Sequence, residues 1–492
     1  MSLVIGIDIG TSGVKAVIAD ENESVRGEAS QPIRVSAPHP GWSEQAPDLW
    51  CEAVATCLDA LAAAHPVLIA DVAGIGLSGQ MLGTVMIDTA DRPVRPAALW
   101  NDQRAIAESA ELLRRQPDIG HRTNGTPDPG LPGPKLLWFA AHEPEALEAT
   151  DCLLSPKDYV RLWLTGTRAT EASDASGTCL MDNRTGAWSD DLIAACGWSA
   201  AKLPPLIGSA ESGGGLRASL ATRFGMRSGI PVAGGAGDNM ACSLGVGAAA
   251  PGDTVVTIGT SAVVCAVDAA FRPAPDDAIL TGIHAAPGTY LSMAVVMSAT
   301  ATFQWLADIT RTPVPELAAE AEAFAAQGRI GEAPTVAPAL GGIRTPHNRP
   351  DAAAIIGGLT GRTDRSALAY ATLEGIAFQI AECVEAQARA GLTPDAFTAV
   401  GGGARNAFWL SLLATLFARP VSRSATAPLA APLGAARLAR IAAGAADLAS
   451  LRDKPAAEII VEPDTPKAAP LAERFDRYRA LLDSQGYRHP AA

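Results

Sequence analysis

One short device occurs twice in this chain, and it narrows the folds open to it. Val4 to Ile9 runs apolar into Gly10-Thr11-Ser12 and then resumes, and Thr257-Ile258-Gly259-Thr260-Ser261 repeats Asp8-Ile9-Gly10-Thr11-Ser12, with Val263 matching Val14. Each copy reads as strand, glycine turn, strand, so the chain is expected to contain two related lobes. A glycine turn that presents N–H groups beside hydroxyls suits a phosphate chain, and a neighbouring carboxylate suits a hydrated magnesium ion. Only the first copy has that carboxylate, at Asp8; the second has Thr257 there. Facing turns of this kind suggest a nucleotide held between the lobes.

At 492 residues the chain exceeds one ordinary core, and the second copy places the other lobe near the middle. The balance of 38 basic against 52 acidic residues, net −14, argues against a nucleic-acid or anionic-membrane surface. Small-molecule chemistry gains by that exclusion. The eight cysteines form no CxxC and no zinc-like cluster with histidine, so buried reduced thiols are expected. Met1 leads into the first strand without a basic or long apolar leader, and Arg437 and Arg440 interrupt the Ala-rich stretch 430–446. No membrane span and a cytoplasmic location are the expectations.

The first lobe opens with strands near 3–9 and 13–19, and a third around 25–35. In 48–64, Leu49, Trp50, Ala53, Val54, Cys57, Leu58 and Leu61 share one helical face, with Asp48 as the expected N-cap. Strands at 72–77 and 84–88 flank the loop Ser78 to Gly83, which makes that loop a strand-end site. The Pro- and Gly-rich segment 117–135 reads as a long surface loop, and 231–247 as strand, glycine turn and helix. These place a boundary near 245, giving a first domain 1–245, a second 246–450 and a tail 451–492. Helices are expected at 367–390 and 406–418.

Gly74-Ile75-Gly76-Leu77-Ser78-Gly79 fits GxGxxG, but a strand rather than a helix follows it, so the dinucleotide reading fails; no GxxxxGK[ST] occurs. Asp8 in an apolar strand needs a cation or a hydrogen-bond network, and the adjoining turn favours metal over a capping role. Lys15 is equally suited to a phosphate or to solvent. Asp238 opens a helical pattern after Gly234-Gly235-Ala236-Gly237, so it is either an N-cap or a base kept ionised by the helix dipole. Asn239 beside it offers a donor and an acceptor to a polyol. Gly401-Gly402-Gly403 serves equally as a plain strand–helix turn or as a close approach for a nucleotide.

Taken together, IGIDIGTSGVKAV at 5–17, WSEQ at 42–45, SGQM at 78–81, LWNDQR at 99–104, GPKLLW at 133–138 and PKDYVRLWLTG at 156–166 resemble the FGGY carbohydrate kinases. The likeness continues through SDASGT at 173–178, AGGAGDN at 233–239, IGTSAVV at 258–264, RTPHN at 344–348, LEGIAFQI at 373–380, GGGARN at 401–406 and PLGAARLA at 432–439. Xylulokinases are the nearest subgroup. The resemblance implies an α/β fold of two ribonuclease H-like, actin/Hsp70-type domains, with ATP and sugar in the central cleft.

The same likeness implies that Asp238 takes the proton from a ketopentose hydroxyl and that Asp8 sits at the magnesium–phosphate site. Thr11, Ser12 and Lys15 would lie along the phosphates, Gly259 and Thr260 would line the cleft, and Gly402, Gly403 and Asn406 would meet the nucleotide. Gln80, Met81, Leu82, Trp100, Asp102 and Asn239 would surround the sugar. The partner is a small sugar, most simply D-xylulose, and lookalikes of this kind are commonly homodimers. Leu82 stands where similar xylulokinases carry histidine, which removes a hydrogen bond to a sugar hydroxyl. Another pentulose, a tetritol or a hexulose therefore stays open as substrate. A non-catalytic ATP switch and a sugar-sensing regulator are the other classes, and the polar residues beside a candidate base weigh against both.

Overall fold

The computed structural model describes residues 2–488. Met1, read above as leading into the first strand, and residues 489–492 of the tail lie outside the described residues.

Two mixed sheets carry the fold, each with seven strands. Leu3–Ile9 pairs antiparallel with Gly13–Ala19, which pairs antiparallel with Val25–Pro32. On its other side Leu3–Ile9 runs parallel to Val72–Gly79, then come Pro231–Ala233 in parallel and Ser212–Gly215 in antiparallel. The second sheet repeats that plan: Asp253–Ile258 is antiparallel to Ala262–Asp268, which is antiparallel to Tyr290–Val296. Its parallel side adds Ala396–Val400 and Val421–Ser424, and Ala457–Val461 closes the edge in antiparallel. The duplicated hairpin is thus the visible part of a duplicated lobe, as the expected two-domain α/β fold requires.

Alternation along Leu3–Ile9 explains its apolar run. Ile5, Ile7 and Ile9 face a core shared with Trp50, Val54 and Leu58 of the helix Pro47–Ala64, whereas Val4 on the other face meets Leu433 and Ala436. The helix bearing Leu433 and Ala436, Ala430–Ala442, follows the second sheet in sequence but packs on the first. Only glycine admits it so closely: a Cβ at Gly6 would sit 1.8 Å from the Pro432 carbonyl oxygen, and one at Gly76 1.8 Å from that of Ala435. The same helix packs on Asp238–Gly245. Arg437 anchors it through Glu23 at 2.6 Å.

Three local expectations change. Asp48 does not cap its helix; Ala46 occupies that position, and Asp48 accepts a hydrogen bond from the Tyr159 hydroxyl at 2.7 Å. Segment 117–135 is not a surface loop: Ile119, Thr123, Asn124 and Gly125 are buried, and a helix begins at Pro132 and runs to His142. Its turns are covered by residues far away in sequence, with Gly125 lying against Ile279 and Leu280. The segment from 451 is no appendage, since Ala457–Val461 joins the second sheet and helix Thr465–Ser484 buries Leu471, Phe475, Tyr478 and Leu482. Arg474 pairs there with Glu374 at 2.6 Å.

One helix, Arg365–Arg389, has the length and hydropathy of a membrane span, but 89% of its apolar window is buried inside the second lobe. It is a core helix.

Candidate active site

Each glycine turn is closed by the N–H of its first glycine, across three residues in the first copy and two in the second. Gly10 N–H donates to the Gly13 carbonyl at 2.9 Å, and Gly259 N–H to that of Ser261 at 2.9 Å. Beside the first turn lies a cavity of about 480 Å³ lined by Asp8, Gly10, Ser12, Lys15, Thr257 and Gly401, so the matched positions Asp8 and Thr257 share one space. Thr11 does not join them. Its hydroxyl donates to Gln80 Oε1 at 3.0 Å and accepts from Trp100 Nε1 at 3.0 Å. Gln45 completes this network, donating to the Thr11 carbonyl at 2.8 Å and accepting from Gln80 at 2.9 Å. Thr11 therefore ties the glycine turn to Gln80 and Trp100, two of the expected sugar residues.

Asp8 accepts a hydrogen bond from the Ser78 hydroxyl at 2.9 Å. Burial pushes its carboxyl above the usual range, against the opposing pull of Ser78 and Lys15. Asp238 is the first residue of its helix, with Gly237 at the cap position, so the capping alternative drops out. Its Oδ1 accepts from Asn239 N–H at 2.7 Å and from Asn239 Nδ2 at 3.0 Å. Burial, followed by the nearby negative charge of Asp8, pushes Asp238 up to about 7.

On the sugar side, Gln80 and Met81 are buried, and Met81 lies against Gly237, where an added Cβ would come 2.6 Å from its sulfur. Leu82 has a left-handed backbone, φ +67°, and its side chain packs over Gly177. Trp100 is 49% exposed and borders a cavity of about 550 Å³ together with Asn101, Gln103, Asp128, Met297 and Arg344. Asp102 is not brought there. It is fully buried, its carboxylate taken by Arg104 at 2.8 Å and by Ser43 N–H at 2.7 Å. It acts as a clamp on the loop that carries Trp100.

On the other lobe, a cavity of about 960 Å³ is lined by Thr260, Thr300, Gln304, Trp305, Gly402 and Asn406, with Gly403 and Phe408 beside them. Gly259 is not in that lining; its carbonyl accepts from Thr300 N–H at 3.0 Å and from Thr300 Oγ1 at 2.8 Å. Asn406 Oδ1 caps the helix Ala407–Phe417 through Trp409 N–H at 3.0 Å, which leaves its amide nitrogen for a ligand. At Gly402 a side chain would meet nothing within 4 Å, so this turn is open to an incoming group.

Residues 3–245 match the N-terminal domain, and residues 254–443 the C-terminal domain, of the FGGY family of carbohydrate kinases. The chain belongs to this family. It is 38% identical over 442 residues to the xylulose kinase of Escherichia coli K12, covering 90% of each chain. The crystal structure of a xyloylose kinase from Brucella ovis superposes with a TM-score of 0.93 at 38% identity, over 98% of this chain and 99% of that one. That of the Rhodospirillum rubrum xylulose kinase gives 0.89 at 27%, over 98% of each. This FGGY kinase is an ATP-dependent carbohydrate kinase acting on a small sugar.

The residues present fit what such a kinase needs. The open turn at Gly402 and the large cavity beside it suit a nucleotide. For magnesium, Asp8 forms no ion pair among the described residues, and burial holds two carboxyls, Asp8 and Asp238, where a divalent cation would favour their ionised forms. Among the described residues no group of three or more His, Cys, Asp or Glu is gathered as for a metal cage. An ion here would take Asp8 together with water and phosphate oxygens.

Sequence reasoning missed several residues of this kinase. Ser78 and Gln45 stood inside quoted motifs without a role. Below the Asp238 turn, buried Lys157 meets Asp158, Glu171 and Asp174 at 2.8, 3.2 and 3.3 Å. Ser173 links this cluster upward, donating to Glu171 at 2.9 Å and accepting from Gly237 N–H at 3.2 Å. The available signal was charge inside apolar pattern: Lys157, Asp158 and Arg161 fall within the buried helix Pro156–Thr165.

Proposed function

We propose that this kinase phosphorylates the terminal hydroxyl of a ketopentose, D-xylulose to D-xylulose 5-phosphate, with Asp238 as general base and Asp8 at a magnesium site. The placement of Asp238 supports it: the residue before it touches Met81 on the sugar side, Cys242 one turn further lines the Asp8 cavity, and Asp8 itself raises its proton affinity. A base so placed meets both the hydroxyl and the phosphoryl group. Range 1–245 then supplies the sugar side and range 246–450 the nucleotide side.

In the reaction, Asp238 accepts the proton of the terminal hydroxyl as its oxygen bonds to the γ-phosphorus. The bond to the β,γ-bridging oxygen breaks, and ADP leaves. Magnesium, when bound at Asp8, supplies charge neutralisation for the phosphates. Ser12, Lys15 and the turn amides orient the phosphate chain, while Gln80, Trp100 and Asn239 orient the sugar. Alignment and electrostatics account for most of catalysis in such transfers.

Leu82 favours a second reading within the same chemistry. An alkyl group in place of imidazole leaves one sugar hydroxyl without that partner, which suits a different pentulose, a tetritol or a hexulose. ADP release measured across purified pentuloses, hexuloses and polyols decides between them, with Asp238→Asn in parallel. A panel in which no sugar stimulates ADP formation sinks the proposal. Near-normal turnover by the variant sinks the assignment of the base.

A further inference from the structure

Lys135 lies in the GPKLLW motif on the helix Pro132–His142, fully buried, and the reaction described above does not use it. A buried ammonium is normally paired with a carboxylate. This one is not, among the described residues. Its Nζ donates to the carbonyl oxygens of Leu82 at 3.0 Å, Ala98 at 3.1 Å and Leu99 at 2.6 Å. Those acceptors match the three donors that an ammonium has. Burial pulls the group down to about 7, while the three carbonyl dipoles aimed at it favour the charged form.

The acceptors belong to two different segments. One is the loop after Val72–Gly79, where Leu82 holds a left-handed backbone that costs energy for any residue with a Cβ. The other leads into Trp100, whose indole is fixed to Thr11 at 3.0 Å. Gln80, Met81 and Leu82 on the first segment and Trp100 on the second are the groups assigned to the sugar. The side chain of Leu82 has no polar atom and that of Met81 only a thioether sulfur, so their placement depends on packing over Gly177 and Gly237 and on the backbone that Lys135 holds.

We propose that Lys135 is a positioning residue for the sugar site: by holding three carbonyls of the Leu82 and Trp100 segments, it fixes the spacing of the side chains that select the sugar. This rests on the assignment of those segments to sugar. Lys135 touches neither substrate, and the nucleotide cavity is lined by other segments. Its loss acts on sugar recognition while leaving ATP recognition in place.

The test is Lys135→Met in the full-length kinase, with D-xylulose, D-ribulose and ATP as probes. The KM for D-xylulose is expected to rise about tenfold and the preference for D-xylulose over D-ribulose to fall at least about threefold, with the KM for ATP moving less than about twofold. Lys135→Gln, which keeps two N–H donors in a smaller side chain, is expected to fall between, and it carries the same readout where the Met variant does not fold. Sugar and ATP constants moving together, or neither moving in a folded variant, overturns the proposal and leaves Lys135 a scaffold residue. A wild-type kinase inactive on every sugar of the panel would instead overturn the assignment of the sugar site.

Discussion

Asp238 works against the stability of the fold that holds it. Its carboxyl is raised from an ordinary 3.8 to about 7, chiefly by burial and then by Asp8. A carboxyl raised on folding adds stability that is complete below its unfolded value and lost as pH passes upward through about 7. Catalysis needs the opposite, ionised form. Asp238→Asn is therefore expected to lower kcat by about 10²–10⁴-fold. The same variant should raise Tm by about 1–3 °C at pH 8 and much less at pH 5, read by differential scanning fluorimetry. In the wild type, kcat/KM should climb through an acidic limb that Asp238→Asn abolishes, lying below about 7 once magnesium offsets the charge of Asp8. Leu82→His is expected to change the ranking of sugars, and an unchanged ranking would remove specificity from that position. Asp8 and Asp238 stood out in the sequence because a carboxylate in an apolar strand or behind a glycine run needs a reason, and the structure brings the two close enough for Asp8 to act on Asp238. The partners of Asp102 and Thr11 were not legible: Arg104 and Ser43 hold the first, Gln80 and Trp100 the second, and sequence does not show which atoms meet.

Gly76 in the first sheet and Gly402 after a strand of the second separate two uses of one residue type. Gly76 is a packing position: an added Cβ would sit 1.8 Å from the Ala435 carbonyl oxygen and 3.2 Å from the Ala439 Cβ. Gly402 faces open space. Gly76→Ala is expected to cost about 1–3 kcal/mol, seen as a lower Tm and lower soluble yield. Gly402→Ala should leave Tm unchanged and raise the KM for ATP, because it narrows the turn without touching the core. The repeated hairpin was legible since strand, turn and strand are local. The burial of 117–135 and the integration of 457–484 were not, because their partners, Leu280 and Glu374 among them, lie far off in sequence.

Across the whole molecule, Arg344 of the second lobe faces Asp128 of the first at 3.8 Å, over the cavity beside Trp100. A partly exposed pair of this length is worth at most about 1 kcal/mol. Arg344→Asp is thus expected to lower kcat/KM for sugar by about 2–5-fold. Adding Asp128→Arg should restore it, and high salt should erase the difference; a reversal that restores nothing would show that the pair does not bridge the lobes in the working enzyme. The helix Ala430–Ala442 binds the lobes more tightly, since Leu433, Ala436 and Ala439 cover Val4, Val17 and Ala19. A fragment ending at 245 is expected to bind an apolar dye and aggregate, and co-expression with 246–492 to rescue it. During translation, then, the earliest strands leave the ribosome with one bare face and wait for the chain to reach position 442. The time needed to make the second lobe becomes a window in which the apolar face of the first, Val4, Val17 and Ala19, is uncovered.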